Sequence, residues 1–296
     1  MLEYPFFGQG NVLAFSPMRD DGDTDAATLR PDEPYAGFNA THYCGDSAEH
    51  VAQCRQWLTS KLGIADNRLL LPRQTHSDHV GLISSSFFSL SLDQQTALLD
   101  DTDALITAER GVCIGISTAD CVPILLFDAA HGAIAAVHAG WRGTVARIVE
   151  KTIAELSAAF GTKPSELKAV IGPCIMQESF EVGEEVVAAF AAAGFDTRAI
   201  CRLLPSPTLP KLTPHIDLVA ANTASLLSAG LSLQNIYACG ICTYTHYARF
   251  FSARRLGIRS GRIYSGIMVA AHAIPSNSIS KIRVEPPGMP GCENLP

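Results

Sequence analysis

Apolar residues recur along this chain with two periods, and these set the elements to expect. Over residues 48–62, AEHVAQCRQWLTSKL, the positions Val51, Cys54, Trp57, Leu58 and Leu62 fall on one face of a 3.6-residue repeat, which predicts a helix. The stretch NRLLLPRQTHSDHVGLI reads as strand, short loop, strand. The centre carries three strand-length apolar runs, GVCIGIST, VPILLFD and AIAAVHAG, each broken by turn residues, with a hairpin expected around Ala129–Gly132. After Gly143, the residues Val145, Ile148, Val149, Ile153 and Leu156 return to helical spacing, and Gly161 is placed to cap that helix. LKAVIGPCI reads as strand and turn, EVGEEVVAAFAAAG as a helix ending near Gly194, HIDLVAANTASLLSAG as a helix opened near Asp217, and NIYACGICTY as a strand.

Two stretches lack either period. Residues 17–34, PMRDDGDTDAATLRPDEP, are acidic and contain almost no bulky apolar residue, which reads as a surface loop or insertion. The Pro-rich segment 275–296 is expected to be a flexible tail, leaving 1–274 as one domain without internal repeat or linker. Hairpins mixed with helices are not a regular βαβ alternation. The expected fold is therefore α+β, a sandwich of mixed β-sheets flanked by helices, rather than a doubly wound parallel sheet.

Composition narrows the function. The 296 residues are 47% hydrophobic, enough for a large core, and the net charge of −7 argues against a nucleic-acid partner, which would need clustered Lys and Arg. No apolar stretch reaches the length that spans a bilayer, and MLEYPFFGQGNVLAF lacks a basic region followed by an apolar one, so a cytoplasmic location is expected. Nine cysteines, an odd number in a chain of this size, argue against a disulfide framework. Most of them sit in apolar surroundings, and Cys239 and Cys242 form a lone CxxC without the second pair that a structural zinc site needs.

Three polar clusters stand at the ends of expected strands: Arg73–Ser77, Thr118–Cys121 and Val137–Thr144. They offer two imidazoles and one thiol, His76, Cys121 and His138. Zn²⁺ favours such nitrogen and sulfur ligands, and a catalytic site uses three of them with a fourth position left for water or substrate. The same atoms also permit a second reading, Cys121 as a nucleophile with His138 as its base. Residue chemistry alone does not separate the two. Arginines form the other informative set: Arg55 on the expected helix, Arg142 between Gly140 and Gly143, and the pair Arg254–Arg255. A guanidinium binds phosphate in a bidentate fork.

At these residues the sequence resembles the bacterial laccase-domain family, once described as multicopper polyphenol oxidase-like and now regarded as zinc-dependent purine nucleoside phosphorylases. The motifs that carry the resemblance are PYAGFNATHYCGDSAEHV, RQTHSDHV, STADCVPILLFD, AAVHAGWRGTV, IGPCIMQESFEVGEEV, and CTYTHYARFFSARR with SGRIYSG, in order from about Pro34 to Met268. The resemblance implies that His76, Cys121 and His138 ligate zinc, with copper as an alternative metal. It implies an α+β sandwich distantly like a deamidating-toxin catalytic domain. It also implies phosphorolysis of adenosine, inosine, guanosine and methylthioadenosine, together with hydrolytic deamination of adenosine. On that reading 1–274 is the catalytic domain and the partners are a small nucleoside and phosphate, with neither nucleic acid nor membrane, in a monomer or homodimer. Arg55, Arg142 and Asn39 are expected to bind phosphate and substrate, and Asp120, beside a ligand, to act as acid–base or to support the ligand set. The chain departs from the family pattern at Cys54, where Asn is frequent, at Ser77, and at Ser179, where a Cys is frequent.

Three other readings stay open at this stage. A copper-dependent phenol oxidase would need paired HxH ligands, and nine His residues include no HxH. A Cys–His amidase acting on cell-wall precursors would use Cys121 and His138. A non-catalytic, zinc-stabilised factor in peptidoglycan editing would leave the pocket unused.

Overall fold

Two six-stranded mixed sheets lie face to face, with helices on both outer faces. The computed structural model describes residues 1–8, 11–22, 29–206, 210–271 and 282–283. The first sheet contains β1 (Leu2–Glu3), β2 (Val12–Ser16), β3 (Leu69–Leu70), β6 (Cys113–Thr118), β13 (Ile263–Val269) and β14 (Ile282–Arg283), in the order β14-β1-β2-β13-β6-β3. The second contains β4 (Val80–Ile83), β5 (Ala104–Thr107), β7 (Val122–Asp128), β8 (Ala133–Ala139), β9 (Lys168–Ile171) and β12 (Ile236–Ala238), in the order β12-β9-β7-β8-β5-β4. A separate hairpin pairs β10 (Cys201–Pro205) with β11 (Leu212–Ile216).

Strand alternation sorts the core into layers. Along β7 and β8, Ile124, Leu126, Ala135 and Val137 face the helices α4 (Ile148–Phe160) and α7 (Leu218–Ser228). Leu125, Phe127, Ile134 and Ala136 face the other sheet, where they meet Ile114, Ile116 and Ile267. The opposite face of the first sheet, with Phe15, Cys113 and Tyr264, packs on Cys54, Leu58 and Leu62 of α1 (Ala48–Leu62). Every residue of β5, β6, β7, β8 and β13 is buried, which is why these strands read as continuous apolar runs. Each fully buried Leu or Ile in these layers contributes about 1.5–3 kcal/mol from water exclusion. Among the described residues no helix is long and apolar enough to cross a membrane.

The expected α1, the three central strands, the β7–β8 hairpin and the α7 start at Asp217 are observed; Asp217 caps the helix by accepting from the Ala220 amide. α5 (Glu184–Ala192) occupies the expected 181–194 helix. Three expectations need correction. The single helix expected after Gly143 is two, α3 (Trp141–Val145) and α4, because Arg147 between them has φ 64°, which breaks the helical hydrogen-bond run. The strand read over NIYACGICTY is confined to Ile236–Ala238. The 17–34 segment is no plain surface loop, since Met18, Arg19 and Asp21 are buried. Arg19 donates to the carbonyls of Ala36, Pro31, Glu33 and Tyr247. The tail expected over 275–296 lies outside the described residues except for Ile282–Arg283, which pair in parallel with β1. β2, the β10–β11 hairpin, β13 and a helix at Leu92–Leu99, α2, come from stretches assigned no element above.

Candidate metal centre

His138 is the sixth residue of β8 and continues the Ile134–Ala136 face, so its side chain is directed between the sheets at the strand end. Cys121 stands in the turn between β6 and β7, next to Asp120, which holds φ 92°. His76 lies in the loop between β3 and β4 and has φ 66°. The structure brings all three together: one ligand atom from each lies within 4.8 Å of the other two. Cys121 Sγ is 3.8 Å from His76 Nε2, and the two imidazole rings are 4.9 Å apart by centroid, inclined at 68°. With zinc–sulfur and zinc–nitrogen bonds of about 2.3 and 2.0 Å, a tetrahedral edge is about 3.6 Å, so little movement would close the trio on one cation. Among the described residues this is the one cluster of three His, Cys, Asp or Glu side chains with such spacing.

Asp103, at the entrance to β5, organises the cluster. It is fully buried, and its carboxylate accepts from the amides of Thr75 (3.0 Å), His76 (3.1 Å) and Ser77 (2.9 Å), from Ser77 Oγ (2.8 Å) and from His138 Nδ1 (2.6 Å). The His76 loop thus wraps its backbone donors around one anion, which holds His76 in its left-handed conformation. Because Nδ1 of His138 donates to Asp103, Nε2 is the nitrogen turned toward Cys121, and it is the one a bound cation would take up in place of a proton. Burial opposes ionisation of Asp103, but the His138 imidazole and the Thr75 and Ser77 donors override it and hold the carboxyl at about 2. Burial alone would raise Cys121, whereas the imidazoles of His138 and His76 bring it down to about 6. His138 shows the converse: burial lowers it, and Cys121 with Asp103 raises it to about 9. Cys121 is therefore poised as a thiolate against a protonated His138, whose Nε2 proton a bound cation would displace.

Gly140 closes the near side. A Cβ there would come within 3.0 Å of both Cys121 Sγ and His76 Cδ2, so the backbone approaches the cluster where no larger residue fits without displacing a ligand. His76 is solvent-exposed and Cys121 partly so, which leaves one side open.

The remaining expected residues are placed differently. Asp120 has both carboxylate oxygens engaged, one accepting from Thr243 Oγ1 (2.6 Å) and the other from the Arg254 amide (2.7 Å). It ties the ligand turn to the 243–254 segment, the capping use of an aspartate rather than a free acid–base. Asn39 is fully buried. Its amide nitrogen donates to Asp46 Oδ2 and Cys44 Sγ, and its oxygen accepts from the amides of Thr41 and Arg262, so it shapes the 39–46 loop instead of facing a ligand. Arg55 reaches from α1 to the carbonyls of Leu69 (2.8 Å) and, at longer range, Ala40 (3.4 Å). Arg142 is exposed, with its guanidinium 4.3 Å from the centre of the Trp141 ring.

Sequence reasoning missed Asp103 and the supporting role of Gln74. The Gln74 side chain accepts from the Ser117 amide (2.7 Å) and donates to the Ser117 carbonyl (2.8 Å), and Tyr43 donates to it in turn. This fixes the start of the His76 loop on β6. The acidic run Asp100–Asp103 directly before an apolar strand was the available signal for Asp103. A cavity of about 620 Å³, bounded by Glu181, Thr213, Tyr244 and Arg254, adjoins the same region through Arg254, whose amide donates to Asp120.

A mixed-sheet sandwich bearing at its strand ends a His–Cys–His cluster that could hold a metal ion defines a mixed α/β class. The chain belongs to the family described as multi-copper polyphenol oxidoreductase laccase, whose family model matches residues 28–270. It is 47% identical over 238 residues to a purine nucleoside phosphorylase of Bacteroides thetaiotaomicron, covering 79% of this chain and 86% of that one. It is 45% identical over 256 residues to adenosine deaminase RL5 from an unknown prokaryotic organism, covering 86% and 93%. Among solved structures, YlmD from Geobacillus stearothermophilus superposes with a TM-score of 0.75 at 26% identity, covering 88% of this chain and 93% of that one.

Proposed function

We propose that this chain is a zinc-dependent purine nucleoside phosphorylase that also deaminates adenosine, with His76, Cys121 and His138 as the metal ligands. The observation that carries this reading is the convergence of those three side chains on one open point under the control of Asp103. The donor set fits zinc, one thiolate and two neutral imidazoles with a side left accessible. Bound there, zinc would act as a Lewis acid and activate a coordinated oxygen. The relatives' names supply the substrate class, a purine nucleoside with phosphate.

The chain's own residues carry the rest. Asp103 holds the proton on His138 Nδ1 and so keeps Nε2 available. Arg142, exposed two residues after Gly140, and Arg55 on α1 are the guanidinium groups that would neutralise phosphate, while Asn39 fixes the loop that Arg55 leans on. The family's laccase description invites a copper reading, but a multicopper centre needs several His-rich sites, and the described residues present a single three-ligand cluster. We place the protein in a reducing, cytoplasmic compartment, because its eight described cysteines are all free thiols.

Product analysis tests the proposal. Zinc-loaded protein given inosine should release hypoxanthine and ribose 1-phosphate only when phosphate is present. Adenosine without phosphate should yield inosine. Protein that holds zinc stoichiometrically yet forms neither product overturns the reading.

A further inference from the structure

A second arrangement of reactive side chains stands at the start of α1, built from residues that share no hydrogen bond with the metal cluster. Asp46, His50 and Cys54 follow one another at four-residue spacing, so they line one face across the Ser47 N-cap and the first turns. His50 Nδ1 donates to Asp46 Oδ2 at 2.8 Å, and His50 Nε2 faces Cys54 Sγ at 3.6 Å. Asp46 is itself fixed by donors from Asn39 Nδ2 and the Ser47 amide, both at 2.8 Å. The Asn39 amide donates to Cys54 Sγ at 3.4 Å, a fixed dipole that favours negative charge on sulfur. A thiol, a base that reaches it, and a carboxylate that orients the base form the arrangement that activates a cysteine.

We propose that Cys54 is a reactive thiol, activated by the His50–Asp46 pair, and is the site at which this protein is oxidised by hydrogen peroxide. His50 takes the thiol proton. The thiolate sulfur attacks one peroxide oxygen, an S–O bond forms as the O–O bond breaks, and the departing hydroxide recovers the proton from the His50 imidazolium as water. The product is Cys54 sulfenic acid; sulfur is oxidised by two electrons and the peroxide is reduced. The hydrogen bond to Cys54, opposed by partial burial, raises His50 to about 9, so the imidazolium form persists at neutral pH. The comparison with other thiols is sharp. Cys113, fully buried, and Cys239, partly buried, are pushed up to about 12 by desolvation, which leaves them as inert thiols. Cys54 is 7% exposed, and its imidazole neighbour is 32% exposed, so the approach suits a reagent as small as peroxide.

The test uses the full-length, zinc-loaded chain, in which metal shields Cys121. Hydrogen peroxide is added for a short pulse, the chain is then unfolded in dimedone to trap sulfenic acid, and peptides are quantified by mass spectrometry. Cys54 should be trapped about tenfold or more faster than Cys44 or the more exposed Cys201. His50→Gln should bring Cys54 down to the rate of Cys44. Equal rates at Cys54 and Cys201, or a Cys54 rate untouched by His50→Gln, overturn the proposal. Should that variant fold poorly, the unaltered chain decides: after a brief peroxide pulse it is unfolded in iodoacetamide, and Cys54 must have lost its free thiol before Cys201, the reverse order refuting the proposal. None of these readouts depends on nucleoside chemistry, so their failure leaves the proposed function standing.

Discussion

Asp103 and Asp120 are both buried carboxylates beside the same cluster, and they do opposite jobs. Asp120 is the immediate neighbour of Cys121 in the chain, yet its oxygens point to Thr243 and the Arg254 amide and serve the turn. Asp103 is remote in sequence from both histidines, yet it binds one through its ring and the other through its backbone. The difference follows from sheet register. β5 and β8 pair antiparallel with Ala104 opposite Val137, so Asp103 comes to stand beside His138, and the His138 amide donates to the Asp103 carbonyl at 2.8 Å. Adjacency along the chain is thus a poorer guide to a supporting group than adjacency across a ladder.

The comparison can be broken experimentally. The baseline is Cys121→Ala, which should abolish stoichiometric zinc and nucleoside cleavage while the circular dichroism stays native; full activity without zinc would remove the centre altogether. Next in size, Asp103→Asn should weaken zinc binding by about 10–100-fold, measured by competition with a chromophoric chelator, because it disturbs the His138 tautomer and the His76 loop together. Asp120→Asn should instead leave zinc affinity near wild type and cost stability of about 1–3 kcal/mol by denaturant titration, the price of a buried bond left unmade. Equal losses of affinity in the two variants would erase the distinction.

A third measurement concerns acid. The Asp103 carboxyl is depressed from 3.8 to about 2, so its contribution is present above the unfolded value and is lost as pH falls through about 2. Metal-free wild type should therefore lose about 2 kcal/mol more than Asp103→Asn between pH 5 and pH 2, read from urea midpoints at each pH. Parallel curves would show that Asp103 is not the anchoring anion. The smallest effect belongs to Gly140→Ala. Its φ of −67° suits any residue, so the thermal midpoint should hardly move, while the added methyl against Cys121 and His76 should lower zinc affinity about tenfold. An unchanged affinity would mean that the ligands lie farther from Gly140 than the structure places them.

Much of the fold was legible because its central strands are covered on both faces. VPILLFD and AIAAVHAG are wholly buried, and a run of apolar residues bounded by turns announces such strands. The β10–β11 hairpin was illegible for the opposite reason: CRLLP is largely exposed and each strand contains a proline, so neither a period nor a run marks it. The break at Arg147 was hidden because the apolar spacing runs through it undisturbed, and only a backbone angle separates α3 from α4. At the site, the chemistry of His76, Cys121 and His138 permitted a cluster, the family motifs singled them out, and the structure brings them together. The support from Asp103 and Gln74 depended on which strands became neighbours, and the full engagement of Asn39 and Asp120 depended on loops that close only in three dimensions.

Arg19 gives the acidic 29–37 segment a meaning that its composition conceals. One guanidinium, stacked 4.6 Å from the centre of the Phe251 ring and holding four carbonyls, works as a rivet joining two distant stretches of chain. A protein engineer trimming this region for its apparent redundancy would pull out the fastener: removing 29–37 strands a positive charge among aromatic rings, with Tyr247 as its sole remaining carbonyl acceptor among the four. The stretch that looks most expendable on paper is thus among those least open to shortening.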